Sequence, residues 1–416
     1  MFRIKIPGLH ENKIRLLSVF QSAFILCIIL DFRSIWLHTE SLAWISRLVK
    51  LLMGLAVVAG ALVKRGNSVW RFSRCLLAMG VISVYVGIWY VFDPLKNSRI
   101  ITILFQLLVI IIYCMMVEDS ASDTMRKYAS IVVVIASFSL FFWLLGSILG
   151  YIKPTGYLYT TWLGKDSLKK VSSYYGIYFE TQSVTFFGLT KKVIRNSAIF
   201  TEAPMASMVF STAFAAEVLM QEKLSWKRCI LLILAVLSTI STTGYIVVMI
   251  TIGLKYVFTR ARTKEAFLLK QLLLPLAIVM GVIILSFLIS QKLGTNSGST
   301  RVDDFIAGYK AWKNAPLFGH GYGNDEIIKK YMSSFRSANT GFSNSPMLVL
   351  AYGGIYLFFP YCISVLIGFF WFVKKRMWNR MGFYLVFLFI FIVTVCPFQM
   401  LAYYLFITMI FHETGG

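Results

Sequence analysis

Two arginines and a glutamate in this chain are placed for phosphate chemistry. Arg195 opens the stretch Arg195-Asn-Ser-Ala-Ile-Phe-Thr-Glu-Ala-Pro204, which joins a long polar segment to the hydrophobic run Met205–Met220. Proline suits a first helical turn and a carboxylate there complements the helix dipole, so Glu202 and Pro204 mark a helix start. Arg301 heads a second polar segment. A guanidinium is permanently charged and grips phosphate oxygens two at a time. Each arginine reads equally as an interfacial residue whose stem lies along apolar surface, and Glu202 equally as a helix cap or a partner for Arg195. His320 is the only histidine in the long polar segments and sits in Gly319-His-Gly-Tyr-Gly323, whose glycines let backbone approach a ligand closely. It reads as a polar turn residue or a proton acceptor. One histidine without matching ligands makes no zinc site. Gly164-Lys165-Asp166 lacks the hydroxyl residue and glycine spacing of a phosphate loop.

The elements that position these residues are membrane helices. Of 416 residues 58% are hydrophobic and only 14% charged, with a mean hydropathy of +0.73. A soluble domain is roughly 25% charged, so this is an integral membrane protein. About twelve apolar runs have the length of a helical crossing. They lie near 14–32, 42–63, 73–92, 99–117, 127–150, 204–221, 228–241, 243–259, 268–290, 346–373, 381–396 and 397–411. Ser238 to Gly244 interrupt the 228–259 region, which reads as a tight helical hairpin or one bent span. The fold class expected is all-α and polytopic. The first span follows a basic leader and reads as a retained signal-anchor.

The net charge of +23 does not indicate nucleic acid. With the N-terminus inside, Lys64, Arg65, Arg71, Arg74, Lys223, Lys227, Arg228, Arg260, Arg262, Lys264, Lys374, Lys375, Arg376 and Arg380 all fall on the cytoplasmic side, as the positive-inside rule requires. An even span count returns the C-terminus to the same side. The six cysteines (Cys27, Cys75, Cys114, Cys229, Cys362, Cys396) lie in or beside spans, so no disulfide framework or zinc site is indicated.

The organisation expected is five spans over 1–150, a first extracytoplasmic loop over 151–203, spans six to nine over 204–290, a second loop over 291–343 and the last three spans over 344–416. The first loop is rich in aromatics, including Trp162, Phe186 and Phe187, and in bases, including Lys165, Lys169, Lys191 and Lys192. Aromatic faces stack on sugars and cations bind phosphate, although an aromatic belt at a bilayer surface has the same composition. In the second loop Thr300 with Asp303 makes a capping-box-like helix start. Val302, Phe305, Ile306, Tyr309 and Trp312 then recur at helical spacing, suited to the membrane interface, with Arg301, Asp304, Lys310 and Lys313 opposite. A short helix is expected from Asn324, with Asp325 and Glu326 in its first turn.

The order of these features resembles the bacterial O-antigen ligase/polymerase (Wzy-like) superfamily. Arg195 to Pro204 is similar to that family's R-x-x-G-x-F-x-E-P signature, with Ala198 in place of glycine and Ala203 inserted between Glu and Pro. Ser241-Thr-Thr-Gly-Tyr245 resembles the Ser/Thr-Gly hairpin that follows. Arg301, Tyr309, Trp312 and Asn314-Ala-Pro-Leu-Phe-Gly-His-Gly-Tyr-Gly323 resemble the R…W…P-x-x-G-x-G-x-G loop. Ser343-Asn344, Pro346-Met-Leu-Val-Leu350 and Gly353-Gly354 resemble the H-N-x-x-L…G-G element, with Ser343 in place of histidine.

The resemblance implies a GT-C-like helical fold and a glycosyltransferase of the bacterial plasma membrane, acting at its outer face on undecaprenyl-diphosphate-linked oligosaccharide. Membrane lipids and a chain-length regulator are the implied partners, without nucleic acid, metal or other cofactor. Negative charge grows on the diphosphate as the sugar–phosphate bond breaks, and fixed cations stabilise it most in the transition state. That role falls to Arg195 and Arg301, supported by Lys192 or Lys310. Tyr309, Tyr322 and Asn344 line the implied substrate site, and His320 or Glu202 takes the acceptor proton. The missing histidine at Ser343 favours a repeat-unit polymerase over a ligase. A lipid-linked oligosaccharide flippase is the rival of another class; it needs cations inside its spans, where this chain has few. A secondary transporter would show inverted repeats of comparable halves.

Overall fold

The computed structural model describes residues 7–39, 42–64, 68–160, 169–185, 192–259, 263–265, 268, 271, 296–336 and 341–411. They form a mostly helical array: α1 (Pro7–Asp31), the short α2 (Ile35–His38), α3 (Ala43–Val63), α4 (Val69–Phe92), α5 (Arg99–Ile112), α6 (Ala121–Phe142), α7 (Ala203–Ala215), α8 (Trp226–Ser238), α9 (Thr242–Phe258), α10 (Asn296–Asn314), α11 (Asp325–Tyr331), α12 (Ser345–Lys374), α13 (Trp378–Val393) and α14 (Met400–Phe411). Helices α5, α6 and α7 each run on into a π-helical turn. Among the described residues seven helices are long and apolar enough to cross a membrane: Asn12–Asp31, Ala43–Val63, Val69–Phe92, Arg99–Val117, Ala121–Ile148, Ala203–Met220 and Ser345–Lys374. The span expected near 268–290 lies almost wholly outside the described residues.

Local chemistry sets where these helices begin. The Ser68 and Ser120 hydroxyls accept from the amides of Arg71 (3.2 Å) and Asp123 (3.1 Å), and Asn344 Oδ1 accepts from Met347 N (3.0 Å). Helix α7 with its π turn is the centre of the bundle and almost wholly buried. Its Ala206, Ser207, Ala213, Ala215 and Ala216 are small enough for neighbouring helices to come close. At Gly244 that closeness is extreme: a Cβ there would lie 2.0 Å from Ser207 Oγ.

The 228–259 region is a hairpin of two helices, α8 of 13 residues and α9 of 17, turning at Thr239–Ser241. At ~1.5 Å per residue each leg is shorter than the ~30 Å hydrocarbon core. Ile240 holds the turn with φ +50°.

The expectation of an all-α chain needs correction, because the first loop folds partly as β. Strands β1 (Gly156–Thr160), β2 (Lys169–Tyr174) and β3 (Tyr178–Glu180) form an antiparallel meander, and β4 (Ser183–Thr185) pairs with β5 (Lys192–Ile194). Leu158, Val171 and Phe179 pack on Ile35, while Tyr157 and Tyr159 face outward. This is the alternation of a half-covered sheet. Lys170 Nζ stands 3.7 Å from the centre of the Tyr157 ring. Trp162, Gly164, Lys165, Asp166, Phe186, Phe187 and Lys191 lie outside the described residues.

Helix α10 also differs from expectation. It starts at Asn296, so Thr300 is not its cap, and Asp303 and Asp304 face inward rather than outward. Arg336, itself fully buried, donates to Asp304 Oδ1 (2.8 Å) and Asp303 Oδ2 (3.3 Å), while Ser333 N donates to Asp303 and Ser343 N to Asp304. Buried carboxylates need such partners. Val302, Phe305, Ile306 and Tyr309 form the exposed face of α10, consistent with the interfacial stripe.

Helix α12 breaks at Gly353-Gly354, where Gly354 has φ +61° and ψ −160°. The break removes the helical bonds from Ile355 and Tyr356 back to Ala351 and Tyr352. Ile355 N and Tyr356 N donate instead to Pro316 O (2.8 Å) and Leu317 O (3.0 Å), and His320 N and Gly321 N donate to Ala351 O (2.9 Å) and Tyr352 O (3.0 Å). Every backbone group freed by the break is thereby satisfied, as a membrane segment demands. The fit leaves no room for side chains: a Cβ on Gly354 would meet Leu317 O at 2.3 Å, and one on Gly319 would meet Tyr352 C at 2.4 Å. The glycine-rich loop thus serves close approach to a helix backbone.

Two ends of the bundle follow. At one, the 31–35 turn pairs with Ile199 and Thr201, Asn97 with Tyr322, Arg195 with Thr239, and Arg301 with Val393. At the other lie the Lys64–Asp119 pair, the Met220–Ser122 contact and the basic residues of the 221–228 and 374–380 turns.

Candidate active site

The 195–204 stretch is an extended seam between the α8–α9 tip, β3 and the turn after α1. Arg195 N donates to Gln182 O (3.0 Å) and Asn196 N to Ser238 O (3.0 Å). Asn196, fully buried, donates through Nδ2 to Ser139 Oγ (3.2 Å) and Ser238 Oγ (2.9 Å), and its Oδ1 accepts from Ala198 N (3.0 Å). Ala198 has φ +49°, the left-handed region that favours glycine, at the very position where the family signature carries glycine. Ile35 N donates to Ile199 O (2.9 Å) and Thr201 N to Arg33 O (3.0 Å), after which Glu202 caps α7 through its backbone.

Arg195 grips the hairpin tip. Its Nε donates to Thr239 O (2.8 Å), its Nη2 to Ile240 O (3.1 Å) and its Nη1 to Gln182 Oε1 (3.3 Å). Gln182 Oε1 also accepts from Ala203 N (3.2 Å), tying the arginine to the head of α7. Arg301 reaches the same hairpin from its other leg, with Nη2 donating to Thr243 Oγ1 (3.2 Å) and Nη1 to Val393 O (3.0 Å). Two guanidinium groups therefore bracket the hairpin tip, one at Thr239 in the turn and the other at Thr243 in the first turn of α9. Of the five N–H donors on each guanidinium, three on Arg195 and two on Arg301 are engaged among the described residues, which leaves two and three for a ligand.

Burial lowers the pKa of both arginines from the ordinary value; nearby Tyr245 and Glu202 oppose this at Arg195, and Asp304 opposes it at Arg301. Both stay cationic. Asp304 is itself pushed up by burial, against its donors Ser343 and Arg336. The Glu202 carboxylate, half-buried and close enough to favour the charge on Arg195, makes no hydrogen bond among the described residues. An apolar groove of about 550 Å³ adjoins the tip, walled by Leu144, Ile148, Val193, Leu237, Ile240 and Tyr245.

None of the other expected site residues hydrogen-bonds to Arg195, Arg301 or Glu202 among the described residues. His320 is held in the loop dock, its Nε2 donating to Ala311 O (2.8 Å). Tyr322 packs edge-on against Phe398 and Tyr352, with its amide on Asp93 Oδ1 (2.8 Å). Asn344 is buried as the α12 cap. Lys192, Tyr309 and Lys310 are exposed. Among the described residues no three of His, Cys, Asp and Glu gather as metal ligands would.

Sequence reasoning missed Gln182 and Arg33. The Arg33 guanidinium is half-buried, has no hydrogen-bond partner among the described residues, and belongs to the residue whose carbonyl holds Thr201. The available signal was an arginine in a short loop assigned to the outer side, where the positive-inside rule disfavours it.

The fold and the bracketed hairpin define a polytopic helical membrane protein with a cationic cluster at one end. Residues 229–362 match the family model Wzy_C, O-antigen ligase, so the chain carries a domain of the O-antigen ligase family. The match runs from α8 to the middle of α12 and contains the hairpin tip, Arg301, the glycine-rich loop and the helix break; Arg195 and Glu202 lie just outside it. It supports a function of the O-antigen ligase or polymerase type. No curated protein and no solved structure matches this chain.

Proposed function

We propose that the protein is a polysaccharide repeat-unit polymerase that transfers a glycan from undecaprenyl diphosphate to a sugar hydroxyl of another lipid-linked repeat unit at the outer face of the bacterial plasma membrane. The observation that carries this reading is the pair of arginines on one hairpin tip, with an apolar groove beside them suited to a lipid chain. The acceptor oxygen bonds to the anomeric carbon as the bond from that carbon to the diphosphate oxygen breaks. The electron pair leaves with the lipid diphosphate, and the acceptor proton passes to Glu202. The free N–H groups of Arg195 and Arg301 meet the growing negative charge; a preorganised donor of this kind contributes about 10²–10³ in rate. The diphosphate is already a good leaving group, so no metal is needed. Ser343, bonded to Asp304 where the ligase element carries histidine, supports polymerase over ligase.

The experiment is incubation of the purified chain with undecaprenyl-diphosphate-linked repeat units in EDTA. A ladder of products is expected. Transfer only to a lipid A core acceptor would establish the ligase alternative, and a ladder that needs a divalent ion would overturn metal independence.

A further inference from the structure

Beside the 31–35 turn, a polar cavity of about 220 Å³ opens between α1, α2, α3, α5 and the head of α14. Its polar lining is Asp31, His38, Ser46, Lys50, Gln106 and Gln399, with Phe398 as an aromatic wall. Asp31 ends α1, where a helix dipole disfavours a carboxylate, but Met400 N at the start of α14 donates to its Oδ2 (3.1 Å) and Gln106 Nε2 to its Oδ1 (3.2 Å). A carboxylate offers about four acceptor sites, so about two stay open. Gln399 Nε2 and Lys50 Nζ make no hydrogen bond or ion pair among the described residues. With the open acceptor sites of Asp31, the cavity therefore offers a ligand both donors and acceptors.

The lining selects the class of ligand. Asp31 repels an anion and Lys50 repels a cation. A neutral polyhydroxyl ligand satisfies both, because each hydroxyl donates and accepts. The volume equals about seven waters at ~30 Å³ each, the scale of one pyranose ring with its hydroxyls. The cavity is also tied to the reacting centre: Arg33 N donates to Asp31 O (2.7 Å), and Arg33 O accepts from Thr201 N, next to Glu202.

We propose that this cavity is a monosaccharide subsite that seats one sugar of the acceptor glycan. Its role as an acceptor site rests on the transferase reading above, whereas sugar binding by itself does not. The test is saturation-transfer NMR on the full chain in lipid nanodiscs, with the methyl glycosides of glucose, galactose and N-acetylglucosamine as probes. Saturation should reach at least one pyranoside. Asp31→Asn, which keeps an oxygen for Met400 N, and Gln399→Leu should each weaken binding by about tenfold, the worth of one good hydrogen bond. Ser46→Trp, which fills the cavity, should abolish it. Saturation of none of the three glycosides, or binding unchanged by both Asp31→Asn and Gln399→Leu, overturns the subsite even where the ladder assay succeeds. Sugar binding with these losses but no ladder leaves the subsite standing as a sugar site and removes the transferase reading.

Discussion

Replacing Arg195 by lysine separates the structural job its geometry shows from the catalytic one proposed for it. The guanidinium stabilises the fold by holding the two carbonyls of the α8 end, Thr239 O at 2.8 Å and Ile240 O at 3.1 Å. Hydrogen bonds to a charged group contribute about 1.5–3 kcal/mol each, so Arg195→Ala costs about 3 kcal/mol or more and endangers the hairpin itself. Lysine keeps the charge and can still reach one of those carbonyls, so Arg195→Lys costs only about 1–2 kcal/mol of stability. What lysine cannot supply is a planar fork that holds the helix end on one edge and phosphate oxygens on the other. With that second edge lost, the rate of elongation falls about 10²–10³-fold, or ~2.7–4 kcal/mol of transition-state stabilisation. The assay is the polymer ladder per unit of protein eluting as a single size-exclusion peak, alongside melting in detergent. Arg195→Lys should melt near the wild type and make almost no polymer. A lysine variant elongating within threefold of the wild type refutes the catalytic assignment and leaves Arg195 a helix cap.

Gly354→Ala should be severely destabilising for a reason unrelated to catalysis. Alanine at φ +61° and ψ −160°, a region essentially reserved for glycine, costs ~1–3 kcal/mol, and its Cβ at 2.3 Å from Leu317 O forces the 316–321 loop off the helix break, loosening two backbone bonds, for about 3–5 kcal/mol in all. Gly80→Ala, with nothing within 4 Å, is the control and should gain about 0.5–1 kcal/mol; equal melting of Gly354→Ala and the wild type sinks the docking account. Cysteine at Lys329 should react with an impermeant thiol reagent in intact cells while cysteine at Lys223 is protected; the reverse pattern inverts the topology.

The spans were legible because runs of about twenty apolar residues have few other uses, and the basic residues at one end followed from charge sorting. Helices α8 and α9 were legible only as a choice, which Ser238–Gly244 could not settle without the α7 neighbour that Gly244 touches. The strands were missed because Lys169-Lys-Val-Ser-Ser-Tyr174 and Tyr178-Phe-Glu180 are short and largely polar, and the contacts that bury Val171, Tyr174, Tyr178 and Phe179 come from Ile35 and Phe142, far away in the chain. Asp303 looked like a helix-start residue and Asp304 like surface charge, since Arg336, which pairs with both, lies more than thirty residues further on. Arg195 and Arg301 could be named from residue type and motif order. That they bracket one hairpin tip is tertiary information, carried by bonds spanning 44 and 58 positions. Ala198 breaks the family signature in letter but keeps its backbone conformation, so the pattern's glycine marks a turn geometry that this chain retains under strain.

The placement of the arginines also explains why two cations are not an excess. Each donates to carbonyls at a helix C-terminus, Arg195 beyond α8 and Arg301 at Val393 of α13, where the dipole contributes roughly half a negative charge. Each therefore presents only about +0.5 to a ligand, and together they offer about +1. The carboxylate of Glu202, close to Arg195, offsets roughly that amount. A diphosphate approaching the hairpin tip would then meet a nearly neutral surface studded with N–H donors. Arg33 changes this balance: it belongs to the turn that pairs with Thr201, and no helix end or carboxylate hydrogen-bonds to it among the described residues. The seam thus gains a cation that neither the signature nor the matched segment contains, supplied by the N-terminal half of the chain.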